Sequence, residues 1–210
     1  MDPRFLGYLL LLFILVIYGV IHINKLSSAY KALNLLVFFT LVSESMTWSG
    51  IFPIKDPLIL YHILLPTTMI LLSIVYLFLF NSIQKIGFVL VILSVLLTVL
   101  NSVFIQYKVF PSHGLSLLCI LAIILSLLTF KNIILLPSKI NILERSDFWF
   151  GTSTLFFYCI TFFTFTFYNF LSKATWLQEV NIYSGLILYT GYFLALYFNI
   201  NRFKYNTDNE

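Results

Sequence analysis

The side chains of this 210-residue chain that could do chemistry are few, and most stand inside or beside long apolar runs. Glu44 lies in the stretch Thr40 to Ser49, which otherwise reads as a membrane-spanning helix. A carboxylate near the middle of a bilayer costs about 2.5–3.5 kcal/mol on insertion scales, so such groups face a bundle interior and commonly carry function. Two roles are open to it. One is a protonated carboxyl bonded to Ser, Thr, Asn or His on a neighbouring helix, serving packing; the other is a working group in a pocket. His62, Asn101, His113 and Glu179 are further polar residues within or at the ends of apolar segments, and Trp48 and Tyr158 offer aromatic surface with a polar tip.

Glu44 and His62 together would supply general acid and base, with Ser43, Ser45 or Asn101 close by. No spacing makes that diagnostic, because GxSxG, HExxH, GxGxxG and P-loop patterns are all absent. Imidazole and carboxylate suit zinc and similar ions, but Glu44, His62, His113 and Glu179 would have to converge from four helices, so no metal is assigned. A retinal Schiff base needs a lysine in the core of the last helix. None stands between Leu177 and Ile200, and no cofactor is expected.

The elements that must position these residues follow from composition. At 60% hydrophobic and 10% charged, with mean hydropathy +0.99, the chain has too little polar surface to coat a water-soluble globule. A spanning helix needs about 20 largely apolar residues. The apolar runs predict an all-α polytopic bundle of seven transmembrane helices at about 4–24, 32–52, 58–80, 86–106, 112–134, 147–171 and 177–200. Residues 1–203 form one domain and 204–210 a short polar tail. The first apolar run exceeds a signal-peptide core, and most nearby basic residues follow it, so it is expected to remain as an anchor. Cys119 and Cys159 sit in separate apolar runs and are expected to be free thiols. The charge of +4 is spread over loop ends, which argues against nucleic-acid binding.

Four Lys and Arg residues (Arg4, Lys55, Lys108 and Lys173) fall on the N-terminal side, and eight fall on the other. That asymmetry predicts an outside N-terminus and a cytoplasmic C-terminus. Glu44 then lies roughly 12 Å below the outer end of its helix, and His62, Asn101, Gln106, His113, Glu179 and Asn181 share the outer half. Pro66 removes a hydrogen bond and crowds the carbonyl of His62, which predicts a kink there. In the sixth helix Thr154, Tyr158, Thr161, Phe165 and Tyr168 form a mildly polar stripe, expected to face inward. Glu179, Tyr183 and Thr190 make a similar stripe on the seventh, where Gly185 and Gly191 permit close packing. The connector 131–146 is the longest, with Glu144 and Arg145 read as solvated interface charges, and it is the natural dock for a protein partner.

A resemblance rests on Ser43-Glu44-Ser45, Leu60-Tyr61-His62-Ile63, the stretch Asn101 to Gln106, Phe110-Pro111-Ser112-His113 and Asp147-Phe148-Trp149-Phe150. Over roughly residues 40–170 the chain resembles small seven-helix inner-membrane proteins of Bacteroidota-type bacteria. The resemblance implies a multi-pass protein of the bacterial inner membrane and weight on these positions, without a defined activity. Members often carry a further carboxylate in the fifth helix, where this chain has Ser116 and Cys119. A fainter likeness, on Phe148-Trp149-Phe150-Gly151 through Leu155-Phe156, is to lysoplasmalogenase-like membrane enzymes, whose Gly-Asp pair is missing here.

The expectation is a sensory or accessory membrane protein. A small or lipid-like ligand would sit in an outward-facing pocket lined by Glu44, Trp48, His62, Asn101, His113, Tyr158 and Glu179, and a partner protein would carry the output. The alternatives are an intramembrane enzyme on lipid or isoprenoid substrates, and a small transporter or structural subunit. Reporter fusions after residue 203 check the orientation. Green fluorescent protein is expected to fluoresce there and alkaline phosphatase to stay inactive; the opposite pair of signals reverses the topology.

Overall fold

Where some twenty apolar residues follow one another and water is excluded, backbone hydrogen bonds close within the segment and the chain coils. The computed structural model describes residues 3–49, 57–79, 84–135, 141–166 and 176–207, helical apart from short turns. Among the described residues seven α-helices follow in order: α1 Pro3–Ile21, α2 Ser28–Ser49, α3 Pro57–Leu79, α4 Gln84–Leu100, α5 Ser112–Leu135, α6 Ser146–Thr166 and α7 Trp176–Thr207. Each overlaps the apolar run that predicts it. Lys55, Pro137, Lys139, Tyr168 and Lys173 lie outside the described residues.

Pro3 and Pro57 open α1 and α3, where the missing N–H has no partner to lose. Pro66 lies inside α3, and the helix continues through it. α4 runs on into a single π-helical turn, Asn101–Ile105, before the chain reverses into α5. At the start of α6 the Asp147 carboxylate accepts from the Phe148 N–H at 3.1 Å and pairs with Arg145 at 2.6 Å. Arg145 is therefore half-buried and ion-paired rather than a freely solvated charge, and its bonds to Asp147 hold the guanidinium pKa above the usual arginine value.

Five helices are long and apolar enough to cross a membrane: α1, α3, α5, α6 and α7. The other two differ for visible reasons. α2 carries Lys31, Asn34, Thr40, Ser43, Glu44 and Ser45 along its length, and the apolar stretch in and beyond α4 is limited to Val91–Ile105. Together the helices make a multi-pass bundle whose outer surface is greasy, with Leu6, Leu10, Phe13 and Ile17 of α1 and Ile120, Ile124 and Leu127 of α5 all exposed.

Neighbour contacts run α1–α2–α3–α5–α6–α7 and back to α1, closing a ring of six. α4 packs against α3 and α5 only from their outer side, with Leu93, Leu96, Leu97 and Leu100 exposed. Among lipids, helices adhere by close van der Waals approach more than by a hydrophobic drive, which favours small residues at crossings. Gly191 is such a residue. A Cβ there would lie 2.3 Å from Ser153 Cβ of α6 and 3.4 Å from the Trp149 carbonyl. The two glycines of α7 serve different neighbours, since Gly185 meets Tyr8 of α1.

Gly191→Ala is accordingly expected to lower the melting temperature in detergent, by overpacking worth about 1–3 kcal/mol. Gly7→Ala, where nothing stands within 4 Å, is expected to leave it unchanged or raise it by up to about 1 kcal/mol through helix propensity. Equal melting for both variants would remove the tight α6–α7 crossing.

Candidate functional site

Inside the ring, in the half of the bundle that holds the start of α1, is a cavity of about 290 Å³. Every ring helix contributes to its wall. Tyr8 comes from α1, Thr40 and Glu44 from α2, Tyr61 and Thr68 from α3, and Leu115 and Leu118 from α5. Phe157, Tyr158, Thr161 and Phe165 come from α6, and Asn181, Gly185, Tyr189 and Tyr192 from α7. Phe110, in the connection from α4 to α5, closes one corner. The volume stands at the lower end of the roughly 300–1,000 Å³ usual for small-molecule sites.

Glu44 reaches the wall from the last two turns of α2 and is half-buried. Tyr8, Thr40, Glu44 and Tyr189 stand together on this wall. This polar cluster spans α1, α2 and α7. Gly185 makes it possible, because a Cβ there would come within 2.9 Å of the Tyr8 ring. The Tyr8 and Tyr189 rings meet edge-on with centroids 5.6 Å apart. Across the cavity, Phe110 and Phe165 stack at 5.6 Å with their planes 8° apart, and Tyr61 abuts Phe110 at 5.2 Å.

Below the cavity the hydroxyls continue in pairs. Thr154 Oγ1 lies 3.2 Å from the Tyr192 hydroxyl while donating to the Phe150 carbonyl at 2.7 Å. The Tyr76 hydroxyl meets Ser126 Oγ at 2.7 Å, both fully enclosed. The Phe150 ring sits between, 5.4 Å from Tyr192 and 5.0 Å from Tyr76. One hydroxyl on the cavity wall has no such arrangement. Thr161 Oγ1 is buried and meets no hydrogen-bond partner among the described residues.

Of the residues singled out by sequence, Glu44 and Tyr158 line the cavity. Trp48 belongs to α2, with its side chain outside the described residues. His62, Asn101, His113 and Glu179 stand in the same half of the bundle but not on this wall. His62 shares the face of α3 that carries Met69, to which Thr98 of α4 donates at 3.7 Å, and neither of its ring nitrogens meets a partner among the described residues. Asn101 is buried and donates to Gln106 at 2.8 Å; Gln106 also donates to Ser112 and accepts from the His113 N–H, so this group fastens the α4–α5 turn. The His113 side chain is exposed. Glu179 bonds Arg4 at 2.8 Å on the rim, half-exposed, and ties α7 to α1 there. Among the described residues no three His, Cys, Asp or Glu side chains come together.

The stripe Thr154, Tyr158 and Thr161 does face inward, and Phe165 lines the cavity. On α7 the stripe Glu179, Tyr183 and Thr190 is instead exposed, and Asn181, Gly185, Tyr189 and Tyr192 take the inner face. Glycine packing against Tyr8 and Ser153 turns the helix that way. Sequence inspection passes over Tyr8 and Tyr189. The signal for Tyr8 was its spacing with Leu12 and Leu15, which are fully buried.

Tyr76→Phe is expected to cost about 1–3 kcal/mol of unfolding free energy, since it strands the enclosed Ser126 hydroxyl. Glu179→Gln, at an exposed ion pair, is expected to cost between about 0 and 1 kcal/mol. Denaturation in mixed micelles ranks the two, and the reverse order would place the stabilising polar contacts on the rim instead of the core.

No protein-family model matches the chain, and comparison with curated proteins and with solved structures finds no match either.

Proposed function

We propose that this chain is a sensory or accessory protein of the bacterial inner membrane. All seven helices cross the bilayer, with the N-terminus outside and the C-terminus in the cytoplasm, as the excess of Lys and Arg on the C-terminal side favours. A small or lipid-like ligand occupies the outward-facing cavity. The output passes to a partner protein through the segment 131–146 or the tail.

The observation that carries this is the placement of one carboxyl, Glu44, in the aromatic wall of a ligand-sized cavity built from all six ring helices. A ligand that touches Glu44, Tyr8 and Tyr189 touches three helices at once, and one that binds one spacing of those helices better shifts the bundle toward it. The connector before α6 is firmly seated, as a relay to a partner requires: the Trp149 indole donates to the Leu143 carbonyl at 2.8 Å beside the Arg145–Asp147 pair. The acid–base enzyme is the weaker alternative, because His62 is not on the cavity wall and Glu44 has no imidazole there among the described residues.

Thr161→Phe fills the cavity without touching Glu44. Organic extracts of the purified wild type are expected to contain a small molecule that extracts of this variant lack, while the lipids of cells with and without the protein stay the same. Identical extracts, or a lipid that accumulates only when the protein is missing, would overturn the sensor assignment.

A further inference from the structure

The cavity wall says more about its ligand than size. Resting on the ligand-pocket assignment above, we propose that the site selects a small organic ammonium with an apolar, ring-sized body.

Charge is the first ground. Glu44 is the one ionisable acid on the wall, and among the described residues no Lys, Arg or His lines it. Arg4, the cation at that end of the ring, is engaged on the rim by Glu179. An anionic ligand would bring like charge against Glu44 where little water screens it. A phosphate-bearing headgroup would find no guanidinium or ammonium on this wall to receive it. A neutral apolar ligand would strip water from Glu44 and leave its charged form without a counter-charge, so it favours the protonated carboxyl and gains nothing from the charge. An ammonium supplies that counter-charge.

The aromatic surroundings are the second ground. Tyr8, Tyr61 and Tyr189 line the same cavity as Glu44, and the Phe110–Phe165 stack stands beside Tyr61. A cation within about 6 Å of such ring faces is held by their quadrupoles, most strongly once desolvated. The stacked pair also offers a flat apolar surface to a ring. A third mark of an occupant is Thr161, 95% buried on the wall (5% exposed), whose hydroxyl meets no partner among the described residues. Thr40 and Thr154 both satisfy theirs on the carbonyl four residues back. A hydrogen-bonding atom of the ligand completes Thr161.

Three isosteric probes separate the charge states: phenethylamine, 2-phenylethanol and 3-phenylpropanoate, each added to the purified full-length chain in mild detergent at neutral pH. Thermal shift is expected with phenethylamine, at an affinity about tenfold or more above that of the alcohol, and none with the carboxylate. Glu44→Gln is expected to bring amine and alcohol to equal affinity, and Tyr61→Leu to weaken the amine more than the alcohol should Glu44→Gln fail to fold. Equal binding of amine and alcohol by the wild type overturns the ammonium assignment while leaving the cavity a ligand site. No shift with any probe overturns it too, and identical extracts from wild type and Thr161→Phe then remove the ligand pocket itself.

Discussion

A hydroxyl or carboxyl among acyl chains has no water to bond, and that one constraint orders the polar geometry of this bundle. Most hydroxyls answer it locally. Ser43, Thr129, Ser153 and Thr190 each donate to the carbonyl one turn back along their own helix. Others answer it across helices, as Tyr76 does with Ser126. Because local satisfaction is so common, polar atoms that lack it stand out. Among the described residues they include Thr161 on the cavity wall, Asn34 of α2 beside Gly19 of α1, and His62, Ser73, Asn101 and Ser102 along α3 and the end of α4.

α4 stays attached although the ring closes without it, through polar contacts at its C-terminal end. His62, Met69 and Ser73 share one face of α3, seven and four residues apart, and Thr98, Asn101 and Ser102 are buried on α4. Thr98 bonds Met69 directly. Beyond it the π-helical turn adds a residue to the coil and turns Asn101 onto Gln106, which gathers Ser112 and the His113 N–H. Polar adhesion of this kind holds helices together where greasy surface alone would gain nothing by leaving lipid.

The helices were legible because apolar runs of sufficient length admit few other structures. Glu44 was legible for the opposite reason, as a charge where charge is expensive. The facing of individual helices was less so. On α7, Glu179, Tyr183 and Thr190 and the alternative Asn181, Gly185 and Tyr192 both repeat with helical spacing, and only the close approach of Gly185 to Tyr8 and Gly191 to Ser153 separates them. Such approaches depend on which helices become neighbours, which periodicity within one helix does not encode. His113 and Glu179 stand at helix starts, where water or a partner such as Arg4 is at hand, so nothing draws them to the cavity. Tyrosines in apolar runs carry no such mark, since their rings are at home on either side.

Ring closure joins the first helix to the last, and Tyr8 and Tyr189 meet across that join. During synthesis Tyr8 and Glu44 are therefore both made well before Tyr189. Their third partner arrives only with α7, so the acid on the cavity wall is covered by a helix that follows it by more than a hundred residues.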